Sequence, residues 1–119
     1  MRRAAHPDEI AGLFVEFANS GDLEGLVGLY EQDAVLTTGP AAIARGHDEI
    51  RGFYRSFLAL KLILVHGRQQ PALVGNGVAL TATQLIDGTV TVEIAREQSD
   101  GAWLWSVDQA SLLTFWSLS

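Results

Sequence analysis

The sequence contains no cysteine. Disulfides and thiolate metal sites are therefore excluded, and the redox compartment is left open. Positive charge is also scarce: 8 Lys and Arg face 14 Asp and Glu, for a net charge of −6 and a pI near 4.8. Such a balance argues against nucleic acid or an anionic membrane as partner. No apolar run is long enough to span a bilayer. The start, Met1-Arg2-Arg3-Ala4-Ala5, has two arginines with no apolar segment behind them, so no signal peptide is expected. A cytoplasmic protein is the default expectation. Histidine is limited to His6, His47 and His66, on a terminus, a helix start and a strand, without the helical spacing of metal ligands. No metal and no cofactor are expected. There is no nucleophile-elbow serine, Ser106 has no histidine identifiable beside it, and Gly75-Asn76-Gly77 reads as a turn and not a phosphate cradle. Repeats, low-complexity tracts and linkers are absent too.

What is present is a chain with 48% hydrophobic and 18% charged residues, which suits one folded domain over residues 1–119. Pro7-Asp8-Glu9 makes a good helix start, with proline and acids in the first turn. Ile10, Leu13, Phe14, Phe17 and Ala18 then follow the i, i+3, i+4, i+7, i+8 stripe of a one-sided helix, which Gly21 ends. Asp22 caps a second, short helix carrying Leu23, Leu26, Val27 and Tyr30, weakened by Gly25 and Gly28. A strand over Asp33–Thr38 stops at Gly39-Pro40. Gly46-His47-Asp48-Glu49 opens a third helix, with Ile50, Phe53, Tyr54, Phe57 and Leu58 on one face.

From Leu62 the texture changes to strands: Leu62–Leu73, Val78–Ile86, Thr89–Glu97 and Trp103–Leu113, separated by glycine turns. Helices first and an antiparallel meander afterwards make an α+β domain. The last two strands dominate the reading. One face carries Val90, Val92, Ile94, Trp103, Trp105 and Val107, and the other carries Thr91, Glu93, Ala95, Leu104, Ser106, Asp108 and Ala110. A two-residue turn at Asp100-Gly101, or a four-residue loop in the same register, sets Glu93 opposite Asp108. Two adjacent carboxylates must be solvated, held by an arginine such as Arg55 or Arg68, or sharing a proton in a pocket. The third strand has two possible registers. A two-residue loop at Asp87-Gly88 places Ala82 and Gln84 on the face of Glu93, and a bulged loop places Thr81, Thr83 and Leu85 there. Three helices can cover one sheet face, so the tryptophan face meets either the helices or a second copy of the chain, and the second copy is the economical expectation. That homodimer would form through Val92, Ile94, Trp103 and Trp105. The apolar tail, Thr114-Phe115-Trp116-Ser117-Leu118, suits the same economy.

Three segments carry a pattern: Asn19-Ser20-Gly21-Asp22-Leu23-Glu24, Leu29-Tyr30-Glu31-Gln32-Asp33-Ala34-Val35, and Gly46-His47-Asp48-Glu49-Ile50-Arg51-Gly52-Phe53-Tyr54. With these the chain resembles the nuclear transport factor 2-like superfamily, and within it ketosteroid isomerase-like and SnoaL-like polyketide cyclase domains. The resemblance implies a cone, a strongly curved antiparallel sheet wrapped around three N-terminal helices, with a ligand pocket inside and often a dimer through the sheet. It also implies roles. Tyr30 and Tyr54 match two positions of the isomerase's tyrosine network, while Phe14 replaces the tyrosine that touches substrate. Thr38 stands where that family has its general base, and Glu93 aligns with the carboxylic acid of its oxyanion hole, one methylene longer. A bulged third-strand loop is the register it suggests. With base and first phenol gone, true steroid isomerase activity is not expected, and Asp108 is an addition that could restore a base.

The expectation is a pocket for a small, largely apolar molecule bearing a carbonyl or hydroxyl group, with isomerase-, cyclase- or hydratase-type acid–base chemistry. Glu93 and Tyr54 would donate to an oxygen and Asp108 would move a proton. Phe14, Tyr30, Thr38, Phe53, Phe57, Thr83 and Ser106 would bind substrate. The second reading is a non-catalytic binding or dimerisation module whose cavity is narrow or filled.

Overall fold

A computed structural model describes residues 2–113, and the expectation for the tail Thr114-Phe115-Trp116-Ser117-Leu118 lies outside them. Helix α1 (Ile10–Asn19) follows a single 3₁₀ turn, Pro7–Glu9. Glu9 closes that turn by accepting hydrogen bonds from the amides of Ala5 (2.8 Å) and His6 (3.3 Å). Ile10, Leu13, Phe17 and Ala18 are buried, as the stripe requires. Asp22 caps α2 (Leu23–Val27) by accepting from the Gly25 amide at 2.8 Å. Gly25 weakens the helix but is needed there, because a Cβ would lie 2.8 Å from both the Asp22 carboxyl and the Phe17 ring. α2 ends at Val27, and Tyr30 begins strand β1 (Tyr30–Gly39) instead of closing the helix.

β1 turns back through Ala41, in the left-handed region at φ 58°, into a strand that the sequence reading lacks, β2 (Ala42–Arg45). Helix α3 (Gly46–Ala59) then crosses the sheet and buries Ile50 and Tyr54. The long strand expected over Leu62–Leu73 is a correction. Residues 61–67 have no regular structure, and only β3 (Arg68–Gln69) and β4 (Leu73–Gly75) pair, flanking Pro71, which has no amide to give to a ladder. Strands β5 (Val78–Gln84), β6 (Val90–Glu97) and β7 (Trp103–Leu113) complete the sheet, in the order β2-β1-β7-β6-β5-β3 with β4 also on β5. All pairs are antiparallel except β1–β7, which is parallel and joins the first strand to the last. The architecture is the expected α+β cone, a curved sheet against three helices.

Two register details position everything else. The β5–β6 loop is bulged, with the Leu85 amide bonded to the Thr89 carbonyl at 2.7 Å and Gly88 at φ 90°. Thr81 therefore pairs with Glu93, and Thr83 with Thr91. At the β6–β7 turn the Gln98 amide bonds to the Ala102 carbonyl at 2.7 Å around a three-residue loop ending in Gly101 (φ 87°). That loop shifts the register by one, pairing Glu97 with Trp103 and Ala95 with Trp105. An extra residue, Ser106, then bulges out of β7, so that Ile94 meets Val107 and Glu93 meets Asp108. The two offsets cancel at the carboxylates but not between them. Trp103 and Trp105 thus lie on the same face as Glu93 and Asp108, and they are buried in the core. This overturns their placement on an outer partner surface. Strict alternation assigned them outward, and one bulge reversed them. Ile94, Val107 and the half-buried Val92 keep the outer face.

Candidate functional site

Between the helices and the concave face of the sheet lies a cavity of about 520 Å³, open on one side. Its lining is mostly aromatic and aliphatic, with Phe14 from α1, Phe53, Tyr54 and Phe57 from α3, and Trp105 from β7. The rings touch edge to face, Tyr54 standing 5.8 Å from Phe14 and 5.1 Å from Phe53 between centroids. His66 and the apolar residues Ile63–Val65 line it from the irregular segment after α3.

Against this lining stand Glu93 and Asp108, only 4% and 6% exposed. Neither is held by an arginine: among the described residues no ion pair involves them, and Arg55 and Arg68 do not reach them. Each is held by hydroxyl groups. The Thr81 hydroxyl donates to Glu93 Oε1 at 2.7 Å. The Tyr30 hydroxyl donates to Asp108 Oδ2 at 2.6 Å, and the Tyr30 and Tyr54 hydroxyls lie 2.6 Å apart. A phenol has one proton. While Asp108 is ionised, Tyr30 spends its proton on the carboxylate, so Tyr54 must donate to Tyr30. The chain then runs Tyr54 to Tyr30 to Asp108, and Tyr54 shows the cavity only a lone pair. When Asp108 takes up a proton the chain is free to reverse, and the Tyr54 proton becomes available to a ligand.

Burial pushes the Asp108 carboxyl up to about 7; the Glu93 charge opposite adds to this, and the Tyr30 hydrogen bond works against it. Glu93 is raised as well, again by burial, with the hydroxyls of Thr91 and Thr81 opposing. Burial also drives both phenols upward, Tyr30 far above the ordinary tyrosine value, with the Asp108 charge as second cause. A carboxyl that changes charge near neutrality inside a cavity can accept and return a proton under ordinary conditions.

The structure brings together Glu93, Asp108, Tyr54, Phe14, Phe53, Phe57 and Thr83 on the cavity wall. Tyr30 lies behind that wall, buried beneath Asp108, as a partner of the site and not a surface of it. Thr38 and Ser106 do not line the cavity. Thr37 and Leu36 take the place of Thr38, because β1 shifts register between Thr37 and Gly39. Ser106 is the bulge residue itself. Sequence reasoning missed Trp105, Gln69 and Thr37. Nothing local marks the first, since a bulge has no fixed signature in this strand, and the second sits in a segment read in the wrong form. Among the described residues no cluster of three His, Asp or Glu is placed to hold a metal.

The sequence pattern of the SnoaL-like domain family matches residues 12–114. This chain belongs to that family. A comparison with curated proteins finds no match. Solved structures agree with the SnoaL-like domain in fold. A calcium/calmodulin-dependent protein kinase type II association domain from Thiobacillus denitrificans superposes with a TM-score of 0.73 at 12% identity, covering 96% of this chain and 100% of that one. A ketosteroid isomerase-like protein from Erwinia carotovora atroseptica gives 0.63 at 17% identity, covering 85% and 88%. A SnoaL-like protein of unknown function from Burkholderia thailandensis gives 0.58 at 16%, covering 85% and 89%. With these solved structures the SnoaL-like domain shares its fold. Among the described residues no helix is long and apolar enough to cross a membrane.

Proposed function

We propose that this SnoaL-like domain binds a small apolar carbonyl or hydroxyl compound and performs acid–base chemistry on it without a cofactor, in the manner of an isomerase, cyclase or hydratase. One observation carries the reading: two carboxyls face each other across neighbouring strands, with no cation between them, against a mostly apolar cavity. Burying an unpaired charge is costly, and a protein that needed only stability would place apolar groups there. Asp108 is the base. Taking a proton from the ligand frees the phenol chain to reverse, so Tyr54 gains a donor as the ligand gains negative charge. Glu93 stands opposite, and its charge keeps the Asp108 carboxylate ready to take a proton. The Phe14, Phe53 and Phe57 wall holds the apolar body and keeps water away. Steroid isomerase activity is not part of the proposal, because Phe14 and Leu36–Thr38 supply neither the phenol nor the base which that reaction uses.

Carbon-detected NMR titration of the side-chain carboxyls is the test. Asp108 is expected to titrate near 7, and Glu93→Gln to lower its midpoint by removing the facing charge. A midpoint near 4 for Asp108, unmoved by Glu93→Gln, would sink the proton-transfer role. Deuterium uptake from D₂O into a bound ketone, present in the wild type and lost in Asp108→Asn while binding persists, would separate catalysis from binding alone.

We propose also that two copies associate through the outer face of the sheet. Leu73, Leu80, Ile94 and Val107 follow one another across β4, β5, β6 and β7 in register, and all are exposed. A continuous aliphatic row of this kind is unusual on a free surface.

A further inference from the structure

The cavity has a second polar patch. Gln69 on β3 and Thr83 on β5 are directly paired, and both line the cavity. Both carry a buried polar atom with no partner in the protein, Gln69 Nε2 and Thr83 Oγ1, and Thr83 is only 7% exposed. Unpartnered donors at two adjacent positions are not what packing alone selects, since each forfeits the hydrogen bonds it had in water. Thr83 is also held in place. A Cβ on Gly67 would come within 2.7 Å of the Thr83 methyl and of the Gln84 carbonyl oxygen, so glycine lets the irregular segment close on that methyl. The β-branched side chain has few rotamers to leave by.

We infer that Gln69 and Thr83 form a subsite for a neutral carbonyl oxygen of the ligand, further along the sheet from Glu93 and Asp108. The inference rests on the reading of the cavity as a small-molecule site. Charge decides that the oxygen is neutral. Among the described residues that line the cavity there is no Lys or Arg and a single histidine, His66, against four acids, Asp8, Asp87, Glu93 and Asp108, so a carboxylate or phosphate would meet mostly like charge. Register sets the span. Thr83 lies two residues along β5 from Thr81, roughly 7 Å, and Thr81, Glu93 and Asp108 follow on successive strands roughly 5 Å apart. A ligand touching both is therefore roughly 12 Å long, about the length of two fused rings with a short side chain. The oxygen-bearing group that exchanges a proton sits at Asp108, and a further carbonyl sits at Gln69 and Thr83.

Three probes of one shape test this by NMR titration of the full chain: 2-acetylnaphthalene, 2-ethylnaphthalene and 2-naphthoate. The ketone is expected to bind about tenfold tighter than the hydrocarbon and to move the Gln69 side-chain amide signals. Gln69→Leu and Thr83→Val should each weaken the ketone about tenfold and leave the hydrocarbon within about twofold, with Thr83→Ser restoring the ketone. Thr83→Val keeps the shape and removes a hydroxyl that has no internal partner, so its melting temperature should not fall. Ketone affinity unchanged in both variants, or naphthoate binding tighter than the ketone, overturns the subsite and leaves the cavity reading standing. Failure of all three probes to bind the wild type removes the cavity reading and the subsite with it.

Discussion

Neighbouring residues of β6 and β7 face opposite ways and invert the usual rule of burial. Glu93 and Asp108 point inward at 4% and 6% exposure, while Ile94 and Val107, one residue away on each strand and paired with each other, point outward at 37% and 41%. Acids inside and aliphatics outside is the reverse of what transfer free energies favour. The inner face accepts that cost where the side chains meet a cavity. The outer face leaves apolar surface where a second copy could cover it. Elsewhere on the same ribbon the ordinary rule holds, with Ala95, Trp103 and Trp105 in the core.

The sharpest way to break this contrast is through pH. A carboxyl raised to about 7 in the folded state binds its proton more tightly there than in the unfolded chain. Stability should therefore be greatest near pH 4, fall as pH rises to about 7, and level off beyond, a loss on the order of 4 kcal/mol. Asp108→Asn should flatten that slope and be the more stable protein at pH 8. Urea unfolding at several pH values reads it, and a wild type that gains stability from pH 4 to 7 would place the acids in water. Next in size is the aromatic half of the inner face. Trp105→Ala should cost at least about 3 kcal/mol, and Val107→Ala less than about 1, by the same unfolding measurement. Smallest in folding terms is the outer row. Leu80→Lys and Ile94→Lys should each change monomer stability by no more than about 0.5 kcal/mol yet shift sedimentation toward the monomer. If the wild type already sediments as a monomer at high concentration, the outer aliphatic row needs another explanation.

Much of the cone was legible because its helices are strongly one-sided. The stripe from Ile10 to Ala18, the Asp22 cap and the glycine start at Gly46 rest on local chemistry that tertiary structure did not override. The Glu93–Asp108 pairing was legible for an incomplete reason. It requires the sum of a turn offset and a bulge offset, and the sequence reading assumed neither. The tryptophans lie between the two offsets, so the same assumption failed for them. Gln69 was hidden because Pro71 divides what reads as one long apolar strand into two short pieces. Tyr30 was assigned to a helix whose stripe it continues, although Gly28, which caps that helix after five residues, stands between them. Its contact with Asp108 joins residues 78 positions apart, beyond the reach of any periodicity.

The extra residue at Ser106 resembles a dislocation in a crystal lattice: the row keeps one register on the turn side of it and another beyond. Were it to glide toward the turn, the ladder around it would re-form in the alternative register, turning both indoles out and drawing Leu104 and Ser106 in. What pins it is the weight of the two indole rings in the interior. Shaving those rings would free the defect to wander, and a domain so altered would flicker between two inner surfaces instead of keeping one.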